Sequence, residues 1–140
     1  MKKLFKPFMV AAAFAGLMTV SSCTKTCDEG FEGDDCKTEI RAKYVGAFTG
    51  TEECTTGNSI ITITYDDQSS DVTKVSIQNL YGAGFVSEGT LQSDGSINIA
   101  TQTFGTGSIS GTVTVSGGKI SATYVVTASG VSDNCTWTQN

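Results

Sequence analysis

Residues 107–126 read GSISGTVTVSGGKISATYVV, and this stretch decides the fold class. Before Gly117-Gly118, the residues Ile109, Gly111, Val113 and Val115 take alternate positions, with Ser110, Thr112 and Thr114 between them. After it, Ile120, Ala122, Tyr124 and Val126 alternate with Ser121 and Thr123. A period of two in β-branched residues sends one face of a strand into a core and the other into water. The glycine pair accepts the positive φ of a tight hairpin turn. The stretch is therefore two antiparallel strands and the turn that joins them.

The same texture extends outward over residues 44–140. Ile61, Ile63 and Tyr65 share a face, separated by Thr62 and Thr64. Turn signals recur at Thr56-Gly57-Asn58, Gly82-Ala83-Gly84, Ser93-Asp94-Gly95, Gly105-Thr106-Gly107 and Ser129-Gly130, and Asp66 to Asp71 forms a longer polar loop. No comparable stretch shows a helical period. About eight strands at near-even spacing predict an all-β domain, either a small antiparallel up-and-down barrel or a sandwich. The expected inward set is Phe48, Ile61, Ile63, Val75, Ile77, Phe85, Leu91, Ile97, Ile99, Ile109, Val113, Tyr124 and Val126. Gly46 and Gly111 are interspersed, where glycine bends a strand or leaves space inside. Side chains are expected to fill most of the centre, leaving at most a shallow pocket at one end.

Residues 1–22 have a different character. Lys2, Lys3 and Lys6 precede an apolar run from Phe8 to Val20, and small residues follow. A run this short, so flanked, reads as an export signal and not as a membrane span. Val20-Ser21-Ser22-Cys23 resembles a bacterial lipobox, which implies a diacylglyceryl group on Cys23 and cleavage in front of it. Residues 23–43 would then be a lipidated tether carrying a short cysteine loop. Without the three signal lysines, six basic residues face fourteen acidic ones, a formal net charge of −8. That balance argues against nucleic-acid binding, which uses a basic face. It also argues against electrostatic attraction to anionic lipid, so the membrane partner would be reached through acyl chains.

Cysteines stand at 23, 27, 36, 54 and 135. Lipidation of Cys23 leaves four in a compartment that permits disulfides. Of the three pairings, Cys27–Cys36 with Cys54–Cys135 is expected: one pair is local, and the other joins the start of the long region to its end. In a barrel those two ends are neighbours. Metal binding is disfavoured, because the chain has no histidine and no Cys-x-x-Cys pair.

Cys27-Asp28-Glu29-Gly30-Phe31-Glu32-Gly33-Asp34-Asp35-Cys36 resembles the last loop of an EGF-like module, without that module's earlier cysteines or the upstream acidic residues that bind calcium. The whole mature chain is similar to Bacteroidetes-type lipoproteins in which such a loop precedes a small, often lipocalin-like β domain. The likeness runs through Arg41-Ala42-Lys43-Tyr44-Val45-Gly46-Ala47-Phe48, Cys54-Thr55-Thr56-Gly57-Asn58 and Asp133-Asn134-Cys135-Thr136. It implies an anchored protein of the outer membrane, in the periplasm or at the surface.

Catalytic groupings are scarce. Without histidine, Ser-His-Asp and Cys-His arrangements are excluded. Gly107-Ser108-Ile109-Ser110-Gly111 puts Ile at the centre of what would be a nucleophile elbow. Glu52 and Glu53 adjoin, so in a strand they face opposite ways and read as solvated surface charge. Asp66, Asp67 and Asp71 read as a polar loop, not a cation site. Tyr44, Phe48, Tyr65, Tyr81, Phe85, Phe104, Tyr124 and Trp137 could line a ligand site, but a core this small needs them too. The expected role is non-enzymatic, with no cofactor or metal: a binding or structural module. The alternatives are a lipocalin-like carrier of a small apolar ligand and a glycan-binding accessory protein.

Overall fold

The structure is a computed structural model that describes residues 26–67 and 69–140. The expected export signal, the lipobox-like stretch with Cys23 and the first residues of the expected tether lie outside the described residues.

Two short strands, β1 (Phe31–Glu32) and β2 (Thr38–Glu39), pair beside the Cys27–Cys36 disulfide. A 3-10 turn over Ile40–Lys43 leads into eight strands: β3 (Gly46–Cys54), β4 (Gly57–Asp66), β5 (Lys74–Gln78), β6 (Val86–Leu91), β7 (Ile97–Phe104), β8 (Gly107–Ser116), β9 (Lys119–Ala128) and β10 (Val131–Gln139). Each pairs antiparallel with its chain neighbour, and β10 returns to β3, so the sheet closes as a barrel. Closure decides between the two expected architectures. The β8–β9 hairpin runs in unbroken register from Gly107↔Ala128 to Ser116↔Lys119 around the glycine pair, as the alternation predicts.

The seam between β10 and β3 carries the second disulfide. Cys135 and Cys54 are directly opposite in the ladder, with their Cα atoms 4.1 Å apart. Both expected pairings are thus present. The β6–β7 ladder is the shortest, with two residue pairs, Thr90↔Asn98 and Leu91↔Ile97. Beyond it the register of β7 slips between Ile99 and Gln102. The Gln102 side chain takes over there, accepting from the Glu88 N–H and donating to the Glu88 carbonyl.

Inside the barrel, ten of the expected inward residues are buried: Ile63, Val75, Ile77, Leu91, Ile97, Ile99, Ile109, Val113, Tyr124 and Val126. Phe48, Ile61 and Phe85 are half-buried against them. The core also takes Tyr44, Tyr65, Leu80, Ile120, Ala122, Cys135 and Trp137. Trp137, Ile63, Val75, Ile77, Ile97 and Val113 present no surface that a water molecule could touch. Gly50 makes room for the indole: a Cβ there would lie 2.6 Å from Trp137 Cζ2. Gly111 makes room similarly, since a Cβ would lie 2.8 Å from the Tyr124 Cα. Here glycine serves close approach and not ligand space. Outward positions such as Thr62, Thr64, Thr112, Thr114 and Thr123 are polar. An apolar interior with a polar exterior is the reverse of a membrane-spanning barrel, whose outer band is apolar.

The connector from Lys37 to Lys43 is short and charged, yet Arg41 within it is 5% exposed. Its Nη1 donates to the carbonyls of Ser69, Asp71 and Lys74 at 2.9–3.0 Å, and its Nε donates to Glu39 at 2.7 Å. A buried guanidinium persists where its donors are satisfied in this way. The Tyr44 hydroxyl donates to the Gly95 carbonyl at 2.6 Å, and the Ile40 N–H to the Gly30 carbonyl at 2.8 Å. The chain before the barrel is therefore folded under one end of it, here called the tether end. The opposite, far end carries the β3–β4, β5–β6, β7–β8 and β9–β10 loops.

Candidate functional site

At the far end the inward positions turn polar. On β3 the inward residues are Gly46, Phe48, Gly50, Glu52 and Cys54, so the alternation that buries Phe48 also buries Glu52. Glu52 is 4% exposed. This corrects the reading of Glu52 as surface charge; Glu53, its neighbour, does face water. On β10 the same alternation buries Asp133, Cys135 and Trp137.

The two carboxylates belong to one hydrogen-bonded group. Glu52 Oε1 accepts from the Tyr124 hydroxyl, and Oε2 from Ser59 at 2.9 Å. The Tyr124 oxygen in turn accepts the Tyr81 N–H at 3.1 Å. The Tyr81 hydroxyl donates to Asp133 Oδ2 at 2.9 Å, and Asp133 also accepts from the hydroxyl and the N–H of Thr56. Tyr81 thus bridges both acids from the β5–β6 loop.

Their electrostatics diverge. Burial raises the Glu52 carboxyl above its usual range, and nearby Asp133 adds to this; the Ser59 hydroxyl and the Tyr81 backbone N–H oppose it. Asp133 is held below the usual range, first by the Thr56 hydroxyl and then by Tyr81 and the backbone N–H groups of Thr56 and Thr55. No positive charge helps either acid among the described residues. Lys37, Arg41, Lys43, Lys74 and Lys119 all sit in the connector or at strand ends on the tether side.

A recess of about 230 Å³ opens beside this group, lined by Glu52, Thr56, Asn58, Ser59 and Tyr81 among others. It is smaller than the usual small-molecule pocket of roughly 300–1,000 Å³. A buried acid with a raised pKa is a feature of acid–base catalysts. Here both Glu52 oxygens are committed to Tyr124 and Ser59, so neither is presented to a substrate in this arrangement. Asp133 also approaches the Cys54 and Cys135 sulfurs, but those are bonded to each other and offer no thiolate to a metal. Asp71 caps its own turn by accepting from the N–H and hydroxyl of Thr73. It forms no three-donor cluster with Asp66 and Asp67 among the described residues.

The aromatic residues separate in an informative way. Tyr44, Tyr65, Tyr124 and Trp137 are core, and Tyr65 packs between Tyr44 and Phe48 with ring centroids 6.4 and 6.1 Å away. Phe85 and Phe104 stack on each other, with centroids 4.2 Å apart, and both are half-buried. The large apolar side chains that are exposed are aliphatic: Val45, Ile60, Val86 and Val131. Among the described residues, no coplanar aromatic strip faces solvent.

The fold and site define an eight-stranded up-and-down barrel with a filled centre and a polar group at one end. No protein-family model matches the sequence, and no curated protein matches it either.

Proposed function

We propose that this chain is a lipoprotein of the bacterial outer membrane, anchored through Cys23, whose barrel serves as a non-enzymatic binding or structural module. The observation that carries the reading is the division of the barrel into two unlike ends. The chain enters at the tether end, where Arg41 and Tyr44 secure the connector to the barrel. An acyl group three residues before Thr26 would hold that end near the bilayer. Strands of this length, tilted as in barrels, would then hold the far end about 25 Å further out. The two disulfides fit an oxidising compartment.

The carrier reading is weakened by the core, because the side chains that would line a ligand chamber touch one another. The glycan-binding reading is weakened by the aromatic residues, which are buried or stacked together.

Anchoring is tested on the envelope-purified protein. Mass spectrometry of its N-terminal peptide should show a diacylated Cys23. The variant Cys23→Ala should leave the membrane fraction; if it stays fully bound, the anchor is elsewhere.

A further inference from the structure

Residues 79–85 span the far end of the barrel and have the parts of a lid. The segment is closed on itself at its base: the Asn79 N–H donates to the Phe85 carbonyl, and the Gly84 N–H to Asn79 Oδ1, both at 3.0 Å. Its backbone turns through positive φ at Asn79 (73°), Tyr81 (60°), Gly82 (61°) and Gly84 (70°). For tyrosine this conformation is strained, and such strain persists only where surrounding contacts enforce it. The contacts here are Leu80, with no exposed surface, seated in the barrel mouth, and the two bonds made by Tyr81.

One bond ends directly on Asp133, and the other reaches Glu52 through the Tyr124 hydroxyl; the two acids are in opposite situations. We propose that residues 79–85 form a hinged lid, latched through Tyr81, that loosens as the pH rises and uncovers Glu52. When the lid is closed, Glu52 is buried with no cation beside it among the described residues. When it lifts, Leu80 and Tyr81 withdraw and water reaches the carboxylate. Ionised Glu52 therefore favours the open form, and protonated Glu52 the closed form. The groups that face Glu52 are Tyr124 from β9, the non-titrating Ser59 from β4, Tyr81 from the lid and Asp133 from β10; the Cys54–Cys135 disulfide does not titrate.

The signs follow from linkage. Glu52 is raised in the closed form, so its contribution to closure is full below the ordinary value of 4.5 and is lost as the pH rises through the raised value. Asp133 is lowered, so its contribution is present above the ordinary value of 3.8 and is lost as the pH falls through the lowered value. Closure is strongest between those two ordinary values. Above pH 4.5 it weakens by up to about tenfold per pH unit, the limit for one proton, and then levels off.

Hydrogen-exchange NMR on the full mature protein in detergent tests this, with protection factors corrected for the intrinsic pH dependence of exchange. Between pH 4.5 and 8, Tyr81 N–H protection should fall and then flatten, while β9 amides such as Tyr124 stay constant. In Glu52→Gln the Tyr81 protection should remain high and flat. In Tyr81→Phe, which removes only the bond to Asp133, protection should be lower at every pH, with the same slope. A flat wild-type profile, a fall shared by the β9 amides, a Glu52→Gln profile that tracks wild type, or an unchanged Tyr81→Phe would each overturn the proposal.

Discussion

Replacing Cys54 and Cys135 together by alanine should lower the unfolding free energy by about 3–4.5 kcal/mol. The bridge spans a sequence separation of 81 residues. In the loop-entropy model, closing a loop of that size removes about 4.5 kcal/mol worth of freedom from the unfolded chain, and native strain erodes part of it. The bridge also sits on the β10–β3 seam, the one pairing in the barrel between the first and last strands, so the longest loop closure is made there. Small domains are stable by only about 5–15 kcal/mol, so a large part of the margin is at stake. Urea unfolding of the double variant measures it, and the melting temperature should drop by roughly 10–20 °C. A loss below about 1 kcal/mol would mean that strand pairing alone holds the seam. The Cys27–Cys36 bridge closes a separation of nine and lies outside the barrel, so its removal should leave the barrel's cooperative transition in place.

The second large effect concerns the indole at the barrel centre. Trp137 has no exposed surface, lies over Gly50 and donates from Nε1 to the Ile61 carbonyl at 3.4 Å. Trp137→Ala should cost about 3–5 kcal/mol, from lost burial and from the cavity left behind. Gly50→Ala attacks the same contact from the other side. Its new methyl would overlap the indole and the Thr138 carbonyl, and a paired β3 backbone cannot yield to it without breaking register. The two variants should therefore both be strongly destabilised, one by a void and one by overlap. Chemical denaturation followed by circular dichroism reads both. A mild Gly50→Ala would show that the indole is free to move, which the filled-core account does not allow.

What was legible in the sequence follows from where the alternation is clean. Residues 107–126 carry a long apolar stripe on each strand, interrupted in β8 at Gly111, and β8 and β9 form in the register it implies. The strands that meet at the seam carry no such stripe. On β3 the inward positions are Gly46, Phe48, Gly50, Glu52 and Cys54, and on β10 they include Asp133. Glycine and acid at core positions interrupt the pattern, so Glu52 reads as surface and Trp137 was not placed in the inward set. The physical reason lies across the seam: Gly50 is small because Trp137 fills its space, and Glu52 is tolerated because Tyr124 and Ser59 hydrogen-bond it. Such compensation is non-local, and one strand does not display it. Leu80 lies among turn signals, and Arg41 in a charged run. Arg41 is held mainly by carbonyls 28–33 residues away, and Leu80 is buried next to Tyr81, whose N–H is held by Tyr124, 43 residues away. The cysteines were readable for the opposite reason, because one close pair and one distant pair leave a simple grouping. The remaining signal, a pair of acids joined by Tyr81, required the β5–β6 loop to be placed over the barrel mouth.

The central claim is that the barrel is filled by its own side chains and carries no enclosed ligand. Native mass spectrometry of the protein purified from its own envelope tests it most directly, after gentle release from detergent. The account predicts one species, whose mass equals the polypeptide with two disulfides and the proposed covalent N-terminal lipid, and nothing further bound. A stoichiometric apolar molecule that survives purification, and that is lost when the barrel is unfolded, would contradict the account and make the protein a carrier.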